Sequence, residues 1–308
     1  MDKVMKPMRV IVTGATGLLG IALIDLLLSK NMQVTALVRR GSERTSFLPQ
    51  SPLLTTIEAD LSQLEELAGK LTGKYDIFFH LGWTNTANRV QRGDFKAQLL
   101  NVGYALDAVE LAHALGCSVF IGAGSQSEYE DAEGTITELT PTNPTEPYGI
   151  AKLSASLFCK QLCSKYGIRF GWLRILSMFG HYDRETTFVS HIIKELSNNR
   201  SPELTKCEQI WDYIYCKDAA LAFWLLAERG KPDAVYPLAS GSSMPLRRYA
   251  EIIRDAISPS LPLGFGILPY PPGQKMNMTA DINPLIKDLG FNPTYTFEQA
   301  IAEIADLY

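Results

Sequence analysis

Tyr148 and Lys152 stand four residues apart at the head of a helical pattern that runs to about residue 166, so both side chains can reach one volume. A phenol ionises near pH 10 and is a poor acid or base at neutral pH, but a neighbouring ammonium and a helix N-terminus both favour the phenolate. Such a pair can move protons. Ser125, at the end of a preceding strand pattern, can hydrogen-bond the same substrate oxygen. A Tyr-x-x-x-Lys spacing is common on helix surfaces, and this one is singled out by its order after a glycine turn and a serine-bearing strand end.

These groups need a frame, and the N-terminal stretch supplies it. Val10-Ile11-Val12-Thr13 is rich in β-branched residues and meets Gly14, Gly17 and Gly20, with an apolar helical pattern over 18–28. A strand, tight turn and helix of this kind form a dinucleotide site. Gly14 permits the sharp turn, Gly17 the approach of a pyrophosphate, and Gly20 close packing of helix on strand. The helix N-terminus offers free N–H groups to the phosphates.

Further strand patterns at 33–38, 53–58, 76–81, 118–121 and 168–176 alternate with helical ones at 63–71, 95–115 and 148–166. Nearly continuous apolar strands separated by helices predict a doubly wound α/β fold, its parallel sheet covered on both faces. Ligands in such sheets lie beyond the carboxyl ends of strands. The strand at 118–121 runs there into Gly122-Ala123-Gly124-Ser125-Gln126-Ser127-Glu128-Tyr129. The second strand pattern ends in Val38-Arg39-Arg40. An NAD site usually carries an acidic residue about 20 positions past the glycines, whereas guanidiniums suit a 2′-phosphate. NADP is therefore the expected cofactor, with NAD the alternative and a solvated basic loop the bland reading of the arginines.

The 308 residues allow a larger and a smaller lobe. A net charge of -4 leaves no basic footprint for nucleic acid, and no apolar run is long enough to span a bilayer, so a soluble cytoplasmic protein is expected. Five scattered cysteines, without Cys-x-x-Cys or zinc-finger spacing, predict neither a metal nor a disulfide. His80 is read as a strand-end residue with a backbone partner, His181 as a hinge-loop residue, and Asp218 as the cap of a helix over 219–228. Trp211, Tyr213 and Tyr215 alternate as on one strand face. Residues 262–273 make a loop long enough for a lid, and helical patterns at 187–198, 284–289 and 297–307 complete the chain.

Taken together, Thr13-Gly14-Ala15-Thr16-Gly17-Leu18-Leu19-Gly20, Ala59-Asp60-Leu61, Phe79-His80-Leu81-Gly82, Asn101-Val102, Ser125 to Tyr129, Pro147-Tyr148-Gly149-Ile150-Ala151-Lys152, Leu173-Arg174-Ile175, Asp212-Tyr213-Ile214-Tyr215 and Ala280-Asp281-Ile282 resemble the extended short-chain dehydrogenase/reductases, the NAD(P)-dependent epimerase/dehydratase family of nucleotide-sugar enzymes. The resemblance implies a Rossmann domain over 1–176 and 208–239 and a substrate lobe over 177–207 and 240–308. It implies Tyr148 as acid/base, Lys152 as ribose ligand lowering the tyrosine pKa, Ser125 orienting the substrate, and Asn101 supporting the lysine through the adjacent helix. The implied cofactor residues are Gly14, Thr16, Gly17, Leu18, Leu19, Gly20, Arg39, Arg40, Asp60, Leu61, Leu81 and Gly82, with Tyr148 and Lys152. Trp83, Ser127, Tyr129, Ser177, Trp211 and Lys275 are the expected substrate contacts. A homodimer through the helices of Asn101 and Tyr148 is also implied.

Departures from the pattern narrow the function. Gln126-Ser127 replaces the Asp-Glu pair of sugar 4,6-dehydratases, and Trp211 stands where an arginine often meets the substrate diphosphate. Ser177 replaces a substrate-facing Asn. Either Lys275, Arg184 or Arg247 takes the diphosphate, or the substrate is not a typical sugar nucleotide. The leading expectation is a reductase of a nucleotide-linked 4-keto sugar. A sugar-nucleotide 4-epimerase, which consumes no cofactor, is the alternative, and a non-catalytic redox sensor comes third because such proteins usually lose the Tyr/Lys pair.

Overall fold

Seven parallel strands make the central sheet: β1 (Arg9–Thr13), β2 (Gln33–Val38), β3 (Leu54–Glu58), β4 (Ile77–His80), β5 (Val119–Ser125), β6 (Arg169–Ile175) and β7 (Ala234–Leu238). They belong to a computed structural model that describes residues 7–129 and 134–306. Their order is β7-β6-β5-β4-β1-β2-β3. The chain grows outward from β1 to β3, returns to lay β4 beside β1, and grows the other way. That reversal opens a crevice at the carboxyl ends of β1 and β4, with Gly14 on one side and Gly82 on the other.

The longer helices among the described residues position the rest: α1 (Leu18–Ser29), α2 (Phe95–Ala114), α3 (Pro147–Tyr166), α4 (Phe188–Ser197), α5 (Cys216–Arg229), α6 (Leu246–Ile257), α7 (Asn283–Leu289) and α8 (Phe297–Ala305). Alternation along β1 sends Val10 and Val12 to the face covered by α1 and α5, and Ile11 to the face covered by α2 and α3. A third core joins α4, α6 and α8 around Phe179, Tyr249 and Phe297. Asp94 caps α2 through the N–H groups of Lys96 and Ala97. Pro147 opens α3 at its first turn, and Gly167, at φ 67°, closes it.

Several elements differ from their sequence reading. β5 continues four residues beyond 121, because Gly122 and Gly124 do not break the strand but make room for Trp172 on β6: a Cβ on Gly122 would lie 2.1 Å from the indole. The helix expected over 63–71 shrinks to a capped 3-10 turn and Leu64–Leu67. Trp211, Tyr213 and Tyr215 do not share one strand. Ile210–Asp212 joins a four-stranded sheet, Ile214–Tyr215 pairs with Met178–Phe179, and Tyr213 lies at the switch. Met278, Ala280, Leu285, Leu289 and Phe291, expected in the smaller lobe, pack into the core that includes β1, α1 and α5. The 262–273 loop is pinned by Gly264–Phe265 pairing with Glu203–Leu204 and by Tyr270 on Glu208. The expected helix end at Leu307 lies outside the described residues. All five cysteines are buried and free, and among the described residues no helix is long and apolar enough to cross a membrane.

Candidate active site

The crevice floor is backbone packed on backbone. Gly14 has φ +67°, and a Cβ there would sit 2.6 Å from the amide nitrogen of Gly82, so the two strand ends can meet only without a side chain. Thr13 ties the same ends together. Its hydroxyl accepts the N–H groups of Leu81 and Gly82, both at 3.1 Å, and lies 3.0 Å from His80 Nδ1. With its lone pairs taken, the hydroxyl donates to Nδ1, which places the ring proton on Nε2, a buried atom without a hydrogen-bond partner among the described residues. The partner of His80 is thus a side chain rather than backbone, and burial with the nearby Lys152 charge pushes its pKa down to about 3. It stays neutral.

A dinucleotide fits this floor. Gly17, the N-cap of α1, has no side chain to cap the first N–H groups and is exposed. A Cβ on Gly20 would lie 2.3 Å from the Gly14 carbonyl, so close packing of α1 needs glycine there as well. Beside the turn, a cavity of ≈ 180 Å³ is lined by Gly14, Thr16, Arg39, Asp60, Leu61, Gly82 and Trp83 among others. Leu18 and Leu19 lie in the first turn of α1, Leu19 buried, and Leu81 borders Gly82. Asp60 also caps the 3-10 turn that follows it. Arg40 points away, 3.5 Å from Glu58 on the exposed surface. A larger cavity, ≈ 650 Å³ between Tyr213, Tyr249, Asp281 and Tyr295, contains none of the expected site residues, so volume alone does not locate the site.

Ser125, Tyr148 and Lys152 converge where β5 meets α3. The Ser125 hydroxyl is hydrogen-bonded to Tyr148, and Lys152 Nζ lies 5.9 Å from the phenol ring. Lys152, only 4% exposed, donates to the Ala123 carbonyl at 2.7 Å and sits 3.7 Å from the centre of the Trp83 ring. Burial pulls the Lys152 pKa down to about 7, against the upward pull of Glu128. The sequence expectation for the phenol is reversed here. Burial raises the Tyr148 pKa, while Arg92, the Ser125 hydrogen bond and Arg184 draw it back down.

Trp83 links this trio to the crevice. It meets Tyr148 edge-on at 6.2 Å and donates to Gln98 at 2.9 Å. Asn101 lies on α2, the helix packed against that of the lysine. Its side chain accepts the N–H and hydroxyl of Thr84 and donates to the Thr84 and Ala97 carbonyls, fixing the loop that holds Trp83 over the ammonium.

Behind Ser125 lies a pair that the sequence reading missed. Glu128, fully buried, accepts from the Ser125 N–H at 2.9 Å, from Trp172 Nε1 at 3.1 Å and from Arg174 Nε at 2.6 Å. The Ser-x-x-Glu spacing of a capping box was its available signal. Tyr129, expected to face substrate, is buried with its hydroxyl 3.1 Å from Arg174. Ser127 lies half-buried one turn from Ser125 and donates its N–H to that hydroxyl. The two departures at 177 and 211 meet each other, Trp211 Nε1 donating to Ser177 Oγ at 2.7 Å. Lys275 precedes the strand Asn277–Ala280, which lies in the sheet of Trp211.

Residues 10–241 match the model of the NAD dependent epimerase/dehydratase family. The dTDP-6-deoxy-L-talose 4-dehydrogenase (NAD(+)) of Aggregatibacter actinomycetemcomitans is 27% identical over 79% of this chain and 88% of its own. The UDP-glucose 4-epimerase of Corynebacterium glutamicum is 22% identical over 97% and 94%. Among solved structures, UDP-N-acetylglucosamine 4-epimerase from Methanobrevibacter ruminantium M1, in complex with UDP-N-acetylmuramic acid, superposes with a TM-score of 0.87 at 26% identity, covering 98% of each chain. A seven-stranded parallel sheet with its reversal at β1 and β4, a glycine turn into α1 and a match over most of the length agree: the chain belongs to the NAD dependent epimerase/dehydratase family.

Proposed function

We propose that this protein is an NADP-dependent reductase of a nucleotide-linked 4-keto sugar. One observation carries the choice of reaction: Arg39 lines the crevice where β2 ends without a carboxylate, the arrangement of a site that takes up and releases NADP rather than one that retains NAD. Reduction then consumes the cofactor and gives a proton to the carbonyl oxygen, whereas epimerisation returns both hydride and proton within one turnover. The nicotinamide supplies the hydride when bound. Ser125 positions the carbonyl oxygen, Tyr148 delivers the proton, and Lys152 with Trp83 closes the back of the site. Gln126 and Ser127 offer no acid and base for elimination of water, which argues against a dehydratase.

Arg39, Ser42 and Arg44 line the adenosine end of the crevice, and no carboxylate ends β2, which supports NADP. The named specificity of the talose dehydrogenase relative is for NAD(+), so both cofactors belong in the test. A 4-epimerase is the second reading, favoured by the names of the Corynebacterium and Methanobrevibacter relatives. We further propose a homodimer. Phe95, Leu99 and Leu100 on α2 and Leu157 and Phe158 on α3 are exposed on neighbouring helices, an apolar face that a second copy would cover.

The test is purified protein with a panel of nucleotide-linked 4-keto sugars, following NADPH and NADH absorbance separately. One NADPH lost per product formed is expected. Interconversion of 4-epimers without net loss of either cofactor would replace the reductase by the epimerase.

A further inference from the structure

Two arginines from distant parts of the chain meet at the mouth of the cleft. Arg92 ends the helical turn Arg89–Arg92, and Arg184 follows the strand Met178–Phe179. Both donate to one peptide carbonyl, that of Thr86: Arg92 through Nε at 3.2 Å, Arg184 through Nη1 at 2.5 Å, with Arg184 Nη2 on the Thr86 hydroxyl at 2.7 Å. A carbonyl oxygen can accept two donors, but its partial charge cannot balance two cations. Asp183, the carboxylate next in sequence, is turned aside. Its oxygens accept the Arg184 N–H at 2.7 Å and the Thr187 hydroxyl at 2.9 Å. Arg44 adds a third guanidinium nearby, on the carbonyls of Thr16 and Tyr182.

We propose that Arg92 and Arg184 form an anion clamp across the cleft mouth, and that a phosphate or carboxylate group of the substrate takes the place Thr86 occupies between them. Planar guanidinium forks match both groups with paired charge-assisted hydrogen bonds. The Arg92 guanidinium carbon lies 5.3 Å from the centre of the Tyr148 ring, so the anion belongs to the same molecule as the reacting carbonyl. Both cations also stabilise the phenolate left after proton transfer. The inference rests on the reading of this cleft as a nucleotide-sugar site. Within that reading the anion is either the diphosphate or a carboxylate on the sugar.

The experiment is calorimetric titration of the NADP+-saturated protein with UDP, UDP-glucose and UDP-glucuronate, comparing wild type with Arg92→Gln, Arg184→Gln and Arg184→Lys. Each Gln variant is expected to weaken at least one ligand by about tenfold, with Lys recovering part of the loss. Equal weakening of all three assigns the clamp to the diphosphate; weakening of UDP-glucuronate alone assigns it to the sugar carboxylate. Affinities unchanged in every variant overturn the clamp. If the wild type binds none of the three, the nucleotide-sugar reading fails separately, and inorganic pyrophosphate becomes the probe: its binding must weaken in the Arg92→Gln/Arg184→Gln protein, and unchanged binding again overturns the clamp.

Discussion

The floor of the crevice and its mouth are built on opposite plans. At the floor, β1 and β4 are held so close that Gly14 has no room for a Cβ, and one hydroxyl, Thr13, joins both strand ends. At the mouth, Arg44 and Arg92 from short helical turns and Arg184 from a loop reach carbonyls of Thr16, Tyr182 and Thr86. Backbone packing admits little variation, so the floor fixes the class of cofactor. Long side chains on loops and short helical turns outside the sheet can be exchanged without disturbing it, so the mouth is where one family member can differ from another. Ser125, Tyr148 and Lys152, the trio proposed to carry the chemistry, stand between the two.

The sharpest test of that division is at Tyr148. Tyr148→Phe removes the transferable proton and leaves the floor intact, so kcat should fall by about 10³-fold while cofactor affinity changes less than about twofold. Stopped-flow turnover and cofactor fluorescence titration measure the two. Turnover retained in the Phe variant would remove the phenol from the mechanism.

The next effect concerns what holds Ser125. Arg174→Met leaves the Glu128 carboxylate buried without its ion partner, which should cost about 3–5 kcal/mol of unfolding free energy in urea. Adding Glu128→Gln should recover most of it, because the amide oxygen can still accept from the Ser125 N–H and Trp172 Nε1. A double variant as unstable as the single one would show that the charge itself, not its isolation, supports the strand end.

Lys152 gives a smaller, pH-dependent effect. Burial lowers its pKa to about 7, whereas in the unfolded chain the amine keeps the ordinary lysine value, so between these pH values the unfolded state binds the extra proton. Stability from this group therefore rises with pH across that window, by at most about 1.4 kcal/mol per unit. The lysine's penalty is fully present below pH 7. Lys152→Met removes the penalty, and its advantage over wild type should shrink between pH 7 and pH 10 in urea titrations. A constant difference would mean that the Ala123 carbonyl and the Trp83 ring hold the amine charged throughout.

The same division explains what could be read from sequence. The glycine turn and the Tyr148/Lys152 pair are local patterns, one strand-to-helix step and one helical turn, and their spacing expresses the geometry directly. Glu128 and Arg174 lie 46 residues apart and meet only because β5 and β6 pair. β5 itself ran past its apparent end because Gly122 answers a tryptophan on the neighbouring strand, which no local window contains. Trp211 and Ser177 were each legible as a departure, but their bond to each other was not. The direction of the Tyr148 shift was missed for a related reason: the lysine is near in sequence, whereas the burial that raises the phenol pKa is supplied by other segments.

Arg39 tests where the floor ends and the exchangeable rim begins. It is exposed, lines the crevice cavity beside Ser42 and Arg44, and follows a strand without a terminal carboxylate. If it meets a 2′-phosphate, Arg39→Ala should weaken NADPH by roughly tenfold, about 1.4 kcal/mol, and leave NADH unchanged, since the two differ only in that group. Arg40, paired with Glu58 on the surface, supplies the control, and Arg40→Ala should move neither affinity by more than about twofold. Equal loss of NADPH and NADH in Arg39→Ala would place the arginine against a part common to both cofactors. The rim would then bind like the floor and leave the choice of cofactor to other residues.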